Sequence, residues 1–269
     1  MVLLHGWPDD ALTWNAVTPT LHAAGWRTYC PYQRGFGPTR FNAPSGRRSG
    51  QLSALGADVI AFADSLKLER FAVVGHDWGA RAAYIAAALW PERISHAVAL
   101  SVGWGTNDPE QAISLRQVQN DWYHWYMALP RGKELVENER RAFTRYIWDI
   151  WCPHWKLPAA DFDATALSFD NPDWVEVVIH SYRHRWGHAD GDPAFDSLER
   201  RLNPPPSISA PTLVLHGADD PVNGPETSDN KERFFAGRYE RKLLPHVGHF
   251  PQRENPQRVA DEIVAWLSV

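Results

Sequence analysis

Short apolar runs alternate with longer stretches of helical period along most of this chain, and the alternation stops in one place. The runs Val2 to His5, Arg27 to Cys30, Phe71 to Gly75, His96 to Ser101, Thr212 to Gly217 and Arg241 to Leu244 read as strands. Apolar positions recurring at helical spacing fill the gaps, over Leu12 to Ala24, Leu52 to Leu66, Ala80 to Leu89 and Pro256 to Leu267. Strand and helix in turn predict an α/β fold with a mostly parallel, doubly wound sheet covered on both faces. The stretch Ala80 to Trp90 is too apolar for a surface helix and is expected to be buried. Between Ser101 and Pro211 no convincing strand pattern occurs. That region is helical in period and ends in "LNPPPSISAP", whose prolines punctuate the return to the sheet. The expected division is therefore a core in two parts, residues 1–102 and 209–269, with a helical cap, residues 103–208, inserted between them.

Composition narrows the class of protein. The chain has 269 residues, enough for one large domain or one domain with an insertion. A hydrophobic fraction of 44% and a net charge of −5 are ordinary for a globular protein. Lysine and arginine are dispersed rather than gathered in a stripe, which argues against nucleic acid as a partner. No apolar stretch has membrane-spanning length, and "MVLLHGWPDD" lacks the basic start and long apolar core of a signal peptide. Cys30 and Cys152 do not make a disulfide framework, so a reducing cytoplasm is the expected location. Tryptophan is the outlier, with fourteen copies. Many lie between residues 104 and 186, as an aromatic-walled cavity or heavy helix packing would require; composition does not choose between the two.

One turn carries the chemistry. "RFAVVGHDWGARA", residues 70–82, is a strand, then Gly75-His76-Asp77-Trp78-Gly79, then a small-residue helix. The spacing is that of a nucleophile elbow, G-x-S-x-G, with aspartate in place of serine. Alone, such an aspartate would more often be a helix N-cap. Context favours the elbow. A carboxylate is already ionised at neutral pH, and its attack on saturated carbon gives an ester that water can cleave. Serine at the same carbon would give an inert ether. An aspartate elbow thus implies an alkyl-enzyme intermediate and a strained or activated C–O or C–halogen bond in the substrate.

The remaining parts follow in the order nucleophile, acid, histidine. "LVLHGADDP" ends a strand and presents Asp219 and Asp220; Asp220 is preferred, three residues after Gly217. "LLPHVGHFPQRENP" presents His246 and His249; His249 is preferred because Gly248 precedes it and a helix begins soon after. His249, oriented by Asp220, would activate water against the Asp77 ester. The backbone N–H groups of Trp7 and Trp78 are the candidate oxyanion donors. His5 reads equally well as a packed loop residue.

With "HGWP", "RGFGPT", "GHDWGA", "GADD" and "GHFPQRENP" in hand, the sequence resembles the α/β-hydrolase superfamily, and within it the epoxide hydrolase branch, over nearly its whole length. The resemblance implies a small apolar epoxide and water as substrates, a vicinal diol as product, and no metal or organic cofactor. It also implies two cap tyrosines that protonate the departing alkoxide. "YHWYMALPRG" supplies Tyr126 and "HSYRHRW" supplies Tyr182, with Tyr123 as a competitor for the first role. A haloalkane dehalogenase would share the GHDWG elbow but usually places a polar residue where this chain has Trp7. A non-catalytic ligand-binding relative would be expected to have lost the intact set Asp77, Asp220 and His249. Members of the branch usually carry two further strands ahead of HG-x-P, so either the gene start is misassigned, the sequence is a truncated fragment, or the protein lives with an exposed sheet edge. The expectation is an open sheet edge at Arg27 to Cys30, covered in a homodimer or prone to aggregation. The i,i+4 pair His180 and His184 lacks a third partner and reads as surface or cap packing.

Overall fold

The computed structural model describes residues 1–43, 45–105 and 112–268. Its sheet contains β1 (Val2–Leu4), β2 (Phe71–His76), β3 (Ile94–Leu100), β4 (Thr212–Gly217) and β5 (Tyr239–Leu244), all parallel and ordered as in the chain. Because side chains alternate across a strand, the two faces bury different sets. Leu4, Val73, Ala97 and Val214 face one cluster, which includes Leu55 and Val59 of α2 (Leu52–Ser65) and Ala83 of α3 (Trp78–Leu89). Leu3, Val74, Val98 and Leu213 face the other, with Leu21 of α1 (Thr18–Ala23) and Ile263 and Trp266 of α12 (Pro256–Leu267). Helices on both faces are what continuous apolar strands require.

The expected burial of the helix after the elbow holds: Ala80 to Ala87 are all buried. Gly56 lets α2 approach it, since a Cβ there would lie 2.3 Å from Ile85 Cγ2.

Two expectations need correction. Arg27 to Cys30 is not a strand. Only Tyr29 pairs, in a parallel bridge to Val2, with the Leu3 N–H donating to Tyr29 O (2.8 Å) and the Tyr29 N–H to Met1 O (3.0 Å). Pro31 has no N–H to extend that ladder. The helix expected over Leu12 to Ala24 is divided into a 3-10 turn, Ala11–Trp14, and α1. Pro19 explains the break, because it suits the first turn of a helix and interrupts a continuous one.

Between β3 and β4 the described residues hold helices: α4 (Leu115–Asn120), α5 (Trp122–Ala128), α6 (Pro130–Asn138), α7 (Arg140–Trp151), α8 (Ala159–Ala166), α9 (Trp174–Arg185) and α10 (Asp196–Leu202). A short α11 (Pro251–Glu254) precedes α12. Trp148 and Trp174 are packed in the core, whereas Tyr182 of α9 packs on Trp78, just past the end of β2.

Candidate active site

Asp77 occupies the single-residue bend between β2 and α3, with φ 50° and ψ −112°. A non-glycine residue there costs about 1–3 kcal/mol, which the surrounding structure must supply. Glycines make the bend sterically feasible. A Cβ on Gly75 would lie 2.1 Å from Gly79 O, one on Gly79 2.3 Å from Leu4 O, and one on Gly6 2.5 Å from Asp77 Cβ. Gly79→Ala is therefore expected to cost on the order of 1–3 kcal/mol of stability, readable as a lower denaturant midpoint.

Asp77, Asp220 and His249 meet. His249 Nδ1 lies 2.9 Å from Asp220 Oδ2, and its Nε2 lies 3.9 Å from Asp77 Oδ2. The other Asp77 oxygen, Oδ1, accepts the Trp7 N–H at 3.0 Å. Trp78 opens α3 with its ring buried against Phe36 and Tyr182. Asp220 Oδ1 accepts the N–H groups of Val222 (2.8 Å) and Asn223 (3.2 Å), and His216 Nε2 stands 3.4 Å from Oδ2. Burial opposes ionisation of Asp220, but the charge of His249 and the hydrogen bonds of His216 and His249 outweigh it and hold the carboxyl well below the usual range. Burial likewise opposes the imidazolium of His249. The charge and hydrogen bond of Asp220, and then the charge of Asp77, overcome it and raise the pKa. The neighbouring His76 goes the other way, to about 4, chiefly by burial.

Rings close the site. Trp7 stacks on Tyr123 (centroids 5.5 Å apart, planes at 10°) and meets Tyr182 edge-on at 5.2 Å and Trp151 at 5.8 Å. Tyr123 and Tyr182 lie 5.4 Å apart, both feel the Asp77 charge, and burial keeps both hydroxyls protonated well beyond the ordinary range. Tyr126 is half-buried and makes none of these ring contacts; the α5 tyrosine turned toward Asp77 is Tyr123. A cavity of about 1020 Å³ is lined by Arg81, Trp104, His124, Arg185, Trp186 and Glu199 among others, not by Asp77 or His249. It shares a wall with the site, because His124 and Arg185 pack on Tyr182.

Two supporting groups had no place in the reading of motifs. Glu254 accepts the N–H groups on both sides of His249, from Gly248 (2.8 Å) and Phe250 (2.9 Å). Its signal was an acidic residue in the first turn of a helix just beyond the histidine, where a carboxylate finds free N–H donors. Trp151 O accepts the His249 N–H at 3.0 Å, a contact between distant segments that no local pattern announces.

A strand-to-helix elbow bearing an acid, followed by a strand-end aspartate and a histidine loop, defines the class. The chain belongs to the alpha/beta hydrolase fold family, whose pattern matches residues 1–256. Among its relatives, Epoxide hydrolase A of Mycobacterium tuberculosis is 28% identical over 291 residues, covering all of this chain and 90% of that protein. A Klebsiella pneumoniae crystal structure, whose epoxide hydrolase assignment is itself provisional, superposes with a TM-score of 0.92 at 35% identity, covering all of this chain and 89% of that one. Epoxide hydrolase A of Mycobacterium thermoresistibile gives 0.76 at 26% identity, covering 99% and 90%. No helix among the described residues is long and apolar enough to cross a membrane.

Proposed function

We propose that the protein is an epoxide hydrolase that opens an apolar epoxide to a vicinal diol through a covalent ester on Asp77. The observation that carries this reading is the placing of His249 Nε2 at 3.9 Å from Asp77 Oδ2, too far for a direct hydrogen bond and suited to one intervening water. In the first half-reaction Asp77 Oδ2 attacks an epoxide carbon while Tyr182 and a second tyrosine donate hydrogen bonds to the opening oxygen. In the second, His249 takes a proton from water, which adds to the Asp77 carboxyl carbon. The charge that develops on Oδ1 is met by the Trp7 N–H, with the Trp78 N–H as the second proposed donor. Collapse of that intermediate breaks the ester C–O bond, and the departing oxygen takes the proton held by His249. The acid proton left on Asp77 returns to the tyrosine that protonated the first oxygen, which releases the diol and restores the carboxylate.

The electrostatics suit the sequence of steps. Asp77 as an anion helps to raise the pKa of His249. Esterification removes that charge, so the imidazole becomes a neutral base more readily when a base is required. Two buried tyrosines beside the nucleophile favour oxygen over halide as leaving group, because an alkoxide needs a proton and a halide does not. The helical segment 103–208, between core parts 1–102 and 209–269, would serve as the lid that carries these tyrosines and excludes water.

His249→Gln tests the scheme. Attack by Asp77 remains available and hydrolysis does not, so intact-protein mass spectrometry after exposure to a styrene-oxide-type substrate should show an adduct on the peptide containing Asp77. A folded variant that never gains mass would contradict the ester. Halide release from a haloalkane by the unmodified protein, without diol formation from epoxides, would favour a dehalogenase.

A further inference from the structure

Away from the reaction centre, the described residues bring together three side chains whose donor atoms suit a metal ion. Ligand atoms of His154, Asp219 and His246 all lie within 4.8 Å of one another. They come from three segments: the loop after α7, the loop after β4 and the loop after β5. His154 Nε2 is 2.9 Å from Asp219 Oδ2, and the rings of His154 and His246 stand perpendicular with centroids 5.8 Å apart.

The loops that carry these residues are fixed to one another by backbone. The Asp219 N–H donates to Val247 O at 3.0 Å and the Ala218 N–H to Leu244 O at 2.9 Å. The third segment is held equally close: the His249 N–H donates to Trp151 O, and a Cβ on Gly248 would lie 2.8 Å from Pro153 Cδ. The spacing of the three side chains is therefore set by the fold, while their exposed ends can still rotate.

We propose that His154, Asp219 and His246 bind one divalent transition-metal ion of the zinc, cobalt, nickel or copper group, with water completing the coordination. Two imidazole nitrogens and one carboxylate oxygen are a borderline donor set that such ions favour, whereas magnesium and calcium require mostly oxygen. Around zinc the ligand atoms stand about 3.3 Å apart, as bond lengths of about 2 Å and tetrahedral angles require. Small rotations of exposed side chains reach that spacing from the present arrangement. An ion pair between His154 and Asp219 explains one contact only; it gives no reason for a second imidazole beside the same carboxylate. Asp220 and His249 take no part in the site, so it can fill without altering the ligands of the reaction centre.

Isothermal titration of zinc chloride into the chelator-stripped full chain should give one ion bound per molecule. His154→Ala, Asp219→Asn and His246→Ala should each weaken binding at least tenfold, or about 1.4 kcal/mol. His184→Ala, in the i,i+4 pair with His180, should leave it unchanged. Cobalt added to the unmodified protein should give visible d–d absorption that zinc abolishes, a readout that needs no variant to fold. Absence of saturable binding, absence of that absorption, or unchanged affinity in the three variants would overturn the proposal.

Discussion

Replacing Asp77 by asparagine is expected to lower the rate of diol formation by about 10⁴-fold or more, a loss typical of removing a covalent nucleophile. The carboxamide has nearly the same shape, so the bend, its glycines and the Trp7 hydrogen bond to Oδ1 can persist while nucleophilicity is lost. Initial rates on an epoxide, with mass spectrometry of the same sample to exclude deamidation back to aspartate, measure the effect. Normal turnover by protein whose mass still shows the amide would remove the central step of the scheme.

The second large effect is expected at the tyrosines. Tyr123→Phe combined with Tyr182→Phe should reduce epoxide opening by about 10²- to 10⁴-fold, the range for loss of general acid assistance. Tyr126→Phe should leave the rate nearly unchanged, because Tyr126 makes none of the ring contacts that Tyr123 and Tyr182 make around Trp7. Each phenylalanine keeps the buried ring, so a loss of activity would report the hydroxyl rather than packing. If instead the Tyr126 variant is impaired and the double variant is not, the donor on α5 has been assigned to the wrong residue.

These two expectations mark how far the sequence could be read. The elbow was legible because its chemistry is local: five consecutive residues hold both glycines and the acid, and the strand and helix around them have strong periods. His249 and Asp220 could be located by chain order and by their places after strands. The choice between Tyr123 and Tyr126 could not be made that way. The two are three residues apart on one helix, and which of them faces Asp77 depends on how α5 is rotated against Trp7 and α9. Rotation of that kind is decided by tertiary packing, which leaves little trace in a short helix rich in aromatic residues on every side. The failed strand at Arg27 to Cys30 has a related cause. Its residues have strand-like character, but β1 offers only three residues to pair with and Pro31 closes the ladder. The Glu254 contact is not legible in the sequence because its value lies in two backbone N–H groups, which a motif of side chains does not display.

The hydrogen bond from the His249 amide to Trp151 O has a mechanical consequence. His249, the proposed general base, is moored to the last residue of α7 as well as to the strand that supplies its loop. Swinging α7 outward to admit a bulky guest would either sever that tether or drag the imidazole off line from Asp220. Under the proposed scheme, admitting such a guest and activating water would be mutually exclusive postures of one joint, and hydrolysis of an Asp77 ester would have to wait until α7 had settled back.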